Sequence, residues 1–185
     1  MLVTLKDKDS IWIATSTNSS RRHVQDTLLE ENLSIFRVAN AENAIIASTG
    51  PAGIDLDQIR YCEDLPLSQT LTKNRLLLQI IPKIKSICEE NEMMDDDESM
   101  RELIIAKDGK AFTVLPTFTC HELEDFYTTG NGASIGHGAM LYYRDLPPIE
   151  RIVESFRAVA EGSNNRIFPI VIMNTKQKER IVINQ

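Results

Sequence analysis

Short apolar runs broken by polar turns organise this chain, and helical periodicity is confined to a few stretches. Residues 2–5 and 10–15 are two such runs separated by Lys6, Asp7, Lys8 and Asp9, which predicts a hairpin with a polar turn. Residues 34–38 and 44–48, joined by 39–43, predict a second hairpin that ends in the turn-rich stretch 49–53. Residues 102–106 and 111–115 flank Asp108-Gly109, and Asp-Gly between two β-rich runs is a strong hairpin signal. Residues 118–121 either continue that hairpin or open another strand, and 126–129 form a further strand. Residues 168–173 and 181–183 predict the last hairpin, across a turn at 175–180.

Helical spacing marks Leu76, Leu77, Ile80, Ile81, Ile84, Ile87 and Cys88, with Pro82 expected to kink or divide the helix. Ile149, Ile152, Val153, Phe156, Val159 and Ala160 share one face of a helix opened by Pro147 and Pro148. A shorter helix is expected over 55–62 with Asp55 as cap, and another over 134–143. Between that helix and the strand at 126–129 stand Gly130, Gly132, Gly136 and Gly138. Four glycines in nine residues predict a junction where backbones approach closely or take positive φ. Hairpins with helices inserted between them give an α+β order rather than an alternating one. No repeat or linker divides the chain, so residues 1–185 read as a single domain.

A formal net charge of −7 argues against general nucleic-acid binding, which needs basic surface. No window approaches the ~18 consecutive apolar residues of a membrane span, and the first residues lack a signal-peptide pattern. Cys62, Cys88 and Cys120 are widely spaced and odd in number, which predicts free thiols in a reducing, cytoplasmic setting. Cys120 and His121 are adjacent, so on a strand they face opposite ways and make a poor nucleophile and base. His23 reads as a solvated loop residue, and three scattered histidines make no metal site. The acidic stretch 89–98 lacks the alternating ligands and glycine of a calcium loop and reads as a solvated loop. No cofactor is implied.

Several strings occur in an order and spacing that resembles the β-type subunits of the proteasome and their bacterial relatives, which are N-terminal-nucleophile hydrolases. They are Leu5-Lys6-Asp7 followed by residues 11–15, then 32–36, 45–50, 128–133, 145–160 and 169–173. The resemblance covers nearly the whole chain and implies a four-layer αββα sandwich, two antiparallel sheets between helical layers. It also implies chemistry in which the hydroxyl of a free N-terminal Thr attacks a peptide carbonyl and its own amine takes the proton. By that resemblance, the family's orienting carboxylate falls at or near Ser16 and its lysine at or near Ser34. Its junction serine falls at Asn131, and its oxyanion-hole segment falls near Ala47 or Ser48. None of the charged members has its usual residue. Met1 stands closest to the nucleophile's place and is expected to be retained because bulky Leu2 follows. Thr4 is separated from the turn residue Lys6 only by Leu5, so exposing it would leave the first strand several residues short.

The expectation is therefore a degenerate pocket of Met1, Ser16, Ser34, Ser48 and Asn131 with no catalytic residue, in a protein that assembles or binds rather than cleaves. Its expected partners are further copies of itself or related proteasome-like subunits, with an unfoldase ATPase only if a ring chamber is used. A competing expectation is a divergent hydrolase with a different nucleophile among Ser16, Ser34 and Ser48, with Tyr127 or His137 nearby. A third is a two-sheet binding module in which His137 meets an anion at a helix N-terminus. The glycines do not make a phosphate loop, because no Gly-Lys-Ser/Thr follows them.

Overall fold

The structure is a computed structural model that describes residues 1–16, 35–49, 59, 62, 64–90, 102–115, 117, 119–163 and 167–184. Strands β1 (Leu2–Asp7) and β2 (Ser10–Ser16) form the first hairpin, in register from Leu2 opposite Thr15 to Asp7 opposite Ser10. Strands β3 (Ile35–Val38) and β4 (Ala41–Thr49) form the second. Its turn is shorter than the pattern predicts, and the register shifts between Arg37 and Val38. Strands β5 (Glu102–Lys107) and β6 (Lys110–Val114) close through Asp108 (φ 50°) and Gly109 (φ 74°). Two successive positive φ angles are what a two-residue type I′ turn requires.

Strand β7 (Cys120–Glu122) is a separate strand on β6, with Cys120 buried and His121 exposed. Strand β8 (Phe126–Thr129) then leaves that sheet and pairs antiparallel with β1. Strands β9 (Ile170–Asn174) and β10 (Ile181–Ile183) make the last hairpin. The two five-stranded sheets have the orders β10-β9-β2-β1-β8 and β3-β4-β5-β6-β7.

Helix α1 begins at Lys73–Arg75, with Thr72 Oγ1 accepting the Arg75 N–H at 3.3 Å. It passes through a π-helical turn, Leu76–Ile80, and continues as Ile81–Glu90. Pro82 has no N–H for the Leu78 carbonyl, and the helix absorbs this with the wider turn just before it, where Ile81 N–H reaches Leu76 O. That turn also changes the helix phase. Leu76, Ile80, Ile81, Ile84 and Ile87 are buried as expected, but Leu77 is turned out to 38% exposure. Of the helix expected over 55–62, only Ile59 and Cys62 are described, and Ile59 is helical and buried. Helices α2 (Ala133–Tyr142) and α3 (Pro148–Gly162) follow the glycine junction.

Strand alternation distributes these residues into three apolar layers. Leu2, Ile11, Ile13, Val171 and Met173 of the first sheet meet Ile35, Ile45, Ala47, Ile104 and Ala106 of the second. Val3, Leu5, Trp12, Ala14, Ile170 and Ile172 face Met140, Ile152, Phe156 and Val159 of α2 and α3. Phe36, Ile46, Leu103, Ile105 and Phe112 face Leu76, Ile80 and Ile84 of α1. Helix, sheet, sheet, helix is the layer order, and each central strand is buried on both faces. Burying each such side chain stabilises by about 1.5–3 kcal/mol relative to exposure.

Two cations clamp the helices onto the sheets. Buried Lys107 donates through Nζ to the carbonyls of Leu67 and Gln69, the latter at 2.9 Å, holding the chain that leads into α1. Buried Arg151 donates through Nε to Met140 O at 2.8 Å, lies 5.0 Å over the Phe126 ring and sits 3.5 Å from Asp125. It thereby fixes the C-terminal end of α2 against the start of α3.

Thr4 is the misfit in the inter-sheet layer. It is fully buried, and its Oγ1 has no hydrogen-bond partner among the described residues. A buried unsatisfied hydroxyl costs about 1–3 kcal/mol, so Thr4→Val, which keeps the shape and removes the hydroxyl, should raise stability by roughly 1 kcal/mol. Urea unfolding measures this as a higher midpoint at unchanged slope.

Candidate functional site

The start of β1 lies between the end of β2 and the glycine junction. Leu2 pairs with Thr15 on one side and Thr129 on the other, and Met1 O accepts the Ser16 N–H at 3.3 Å. The junction turns back sharply through Gly130 (φ 82°) and Gly132 (φ 81°), conformations that side chains with a Cβ rarely adopt. A Cβ at Gly136 would stand 2.5 Å from Met1 Sδ, and one at Gly132 would stand 2.3 Å from Val159 Cγ1. The Met1 side chain is thus seated against α2 beside Gly136. Gly138 has open space around it and carries no such demand.

The expected pocket residues differ in exposure and in the side to which they turn. Ser16 adjoins the Met1 backbone, half-buried, and its hydroxyl donates to Ile167 O at 2.5 Å. Asn131 is exposed at the tip of the turn between Gly130 and Gly132. Ser48 is buried in β4 opposite Leu103, and alternation sets it with Ile46 toward α1, while Ala47 and Thr49 face the other sheet. Ser34 lies outside the described residues. His137 is exposed, its ring 4.8 Å from that of Phe126.

Beside Met1 lies a cluster of Tyr127, Thr129, Glu102 and Thr49, of which only Tyr127 was expected near the pocket. Tyr127 and Thr129 alternate onto the inter-sheet side of β8, and Glu102 opens β5 opposite Thr49. Tyr127 Oη donates to Glu102 Oε1 at 2.5 Å, and Thr129 Oγ1 donates to Oε2 at 2.5 Å. Thr49 Oγ1 donates to the same Oε2 at 3.4 Å. A Cβ on Gly130 would sit 3.6 Å from Met1 Cα and 3.7 Å from Thr49 Cγ2, so the cluster and Met1 meet at one end of the inter-sheet layer, the mouth between the sheets.

Solved structures share this arrangement of sheets and helices. BPH from Thiobacillus denitrificans is 24% identical over 94% of this chain and 97% of its own, with a TM-score of 0.73 alone and 0.74 in its complex with epoxomicin. Anbu (ancestral beta-subunit) from Yersinia bercovieri is 14% identical over 100% of this chain and 87% of its own, at a TM-score of 0.67. The chain has the proteasome-like fold of the N-terminal-nucleophile hydrolases. HslV from Trypanosoma brucei, at a TM-score of 0.58, is 12% identical over 94% of this chain and 97% of its own. No protein-family model matches the sequence, and no curated protein matches it either.

Within the proteasome-like fold, the electrostatics of the mouth follow from burial. Burial lowers the proton affinity of the Met1 α-amine below its ordinary value of 8.0, which favours a neutral amine able to accept a proton. The hydroxyls of Thr49 and Thr129 near that amine donate to Glu102. The Tyr127 phenol is pushed up to about 12, first by burial and then by its hydrogen bond to Glu102. No group of three or more His, Cys, Asp or Glu side chains arranged to hold a metal occurs among the described residues.

Two outcomes follow. Gly136→Ala should displace the flexible Met1 thioether with little net loss of stability, because alanine gains about 1 kcal/mol of helix propensity inside α2. Urea unfolding together with the NMR shift of the Met1 methyl reads both effects. For Tyr127, a folded pKa raised from 10.0 to about 12 means the folded state holds the proton more tightly. Its stabilising contribution is complete below pH 10 and is lost as pH rises toward 12. Absorbance at about 295 nm should show one late-titrating phenol that Tyr127→Phe removes, and the variant should lose less stability over that window.

Proposed function

We propose that this protein is a proteasome-like component that assembles or binds and does not act as a threonine peptidase. The observation that carries this reading is the seat of Met1, whose thioether packs against Gly136 at the place where the resemblance puts a nucleophilic hydroxyl. Thr4, the nearest threonine, supports it further. It is fully buried and paired with Ile13 on one side and Tyr127 on the other. Processing that freed Thr4 would strip Leu2 and Val3, both fully buried, from the middle of a sheet.

Self-association is part of the proposal. Helix α2 presents Leu141 at 53% and Tyr142 at 81% exposure, and α1 presents Leu78 at 77%. Apolar side chains this exposed on two outer helices favour contacts with further copies or related subunits. An ATPase partner would follow only from a ring with an internal chamber. A cytoplasmic setting belongs to the same reading and draws on the free thiols of Cys62 and Cys120. No described helix is long and apolar enough to cross a membrane.

The competing reading, a hydrolase with another nucleophile, draws on the desolvated Met1 amine and the nearby hydroxyls of Thr49 and Thr129. Those hydroxyls donate to Glu102 rather than to the amine, which favours the first reading. One preparation separates the two. Native mass spectrometry should give a multimer of chains that still carry Met1, with no turnover of fluorogenic peptides and no retention of epoxomicin, the compound carried by Thiobacillus denitrificans BPH in its complex. Turnover, or a chain trimmed to a Thr, Ser or Cys, would overturn it.

A further inference from the structure

The Glu102 cluster has an unusual balance of donors and acceptors. An ionised carboxylate offers about four acceptor positions and no donor, and each hydroxyl has one proton. Tyr127, Thr129 and Thr49 all direct that proton to Glu102, one to Oε1 and two to Oε2. What the cluster still presents is therefore oxygen lone pairs alone, on Glu102 Oε1 and on the three hydroxyl oxygens. No described cation pairs with the carboxylate of Glu102, which is half-buried. A counter-charge brought to a half-buried carboxylate gains more than it would in open solvent.

We propose that this cluster is a recognition site for an organic cation bearing N–H groups, a primary ammonium or guanidinium, at the mouth between the sheets. Such a group supplies both things the cluster lacks, positive charge and donors. The oxygens that receive it are anchored on three strands of two sheets, β4 and β5 on one side and β8 on the other, so the site is preorganised. A divalent metal fits less well, because one carboxylate among neutral hydroxyls supplies too little negative charge. The Met1 amine is not the occupant, since it makes no ion pair with Glu102. Recognition of this kind goes beyond the assembly role and needs no peptide cleavage.

The test is an NMR titration of the full-length protein with agmatine, which carries both N–H-bearing cationic groups, and with tetramethylammonium, which carries charge but no N–H. Ionic strength is held constant, and the Tyr127 ring and Thr129 methyl signals are followed. Agmatine should shift these signals saturably and tetramethylammonium should not. Glu102→Gln should weaken agmatine binding by about tenfold or more, as loss of a charge-assisted hydrogen bond predicts. If that variant does not fold, Glu102→Asp retracts the carboxylate by one methylene and should weaken binding in the same direction. Equal response to both cations, no saturable response to agmatine, or undiminished binding in the folded variant would each overturn the proposal. Peptide turnover and multimer mass are read separately, so a failed titration leaves the assembly reading in place, and the reverse also holds.

Discussion

Burial of both faces of both sheets is the constraint on which the rest of this structure depends. Because β1, β2, β4, β5 and β9 each feed two apolar layers, a shift of one residue in any of them would exchange those layers wholesale. Register is therefore strongly specified, and it places Leu2 opposite both Thr15 and Thr129. Met1 then has one position, beside Gly130 and against Gly136. The mouth between the sheets is a consequence of core packing a few residues away.

The same constraint explains why small changes of residue type at the mouth matter more than changes of backbone. The glycine junction, the αL turn through Gly130 and Gly132 and the close contact with Val159 are all present. A scaffold of this kind positions whatever side chain begins β1. Here it positions an amine whose proton affinity burial has lowered, together with a thioether. On the reading proposed above, in which no hydroxyl is presented to that amine, the retained geometry serves packing or recognition rather than acyl transfer.

Local patterns carried most of the fold. The Asp108-Gly109 turn, the helix faces of α1 and α3 and the strand at 126–129 follow from period and turn chemistry, which act within a few residues. Leu77 departs because Pro82 forces a π turn whose phase no helical template includes. The site was less legible for a different reason. Glu102 reads as the polar first residue of a strand, and Thr49 as part of a turn. Their meeting with Tyr127 and Thr129 depends on β8 crossing to pair with β1 and on how the two sheets stack. Neither long-range fact leaves a mark in local spacing. Ser48 shows the converse case, since it adjoins Thr49 near the cleft while alternation turns its side chain toward α1.

These two observations bear on each other. The fold's mouth carries a desolvated amine and, close to it in space, a carboxylate with no counter-ion among the described residues. If the amine were the counter-ion, its proton affinity would rise rather than fall, and the pair would simply be a structural salt bridge. Burial instead lowers the proton affinity of the amine, and Glu102 accepts from three hydroxyls that direct their protons to it. A stable core can hold such a charge at the entrance because the inter-sheet layer, not the mouth, supplies the folding energy. The unpaired charge is then a feature the fold can tolerate, and a cationic group entering from outside would meet it without disturbing the layers beneath.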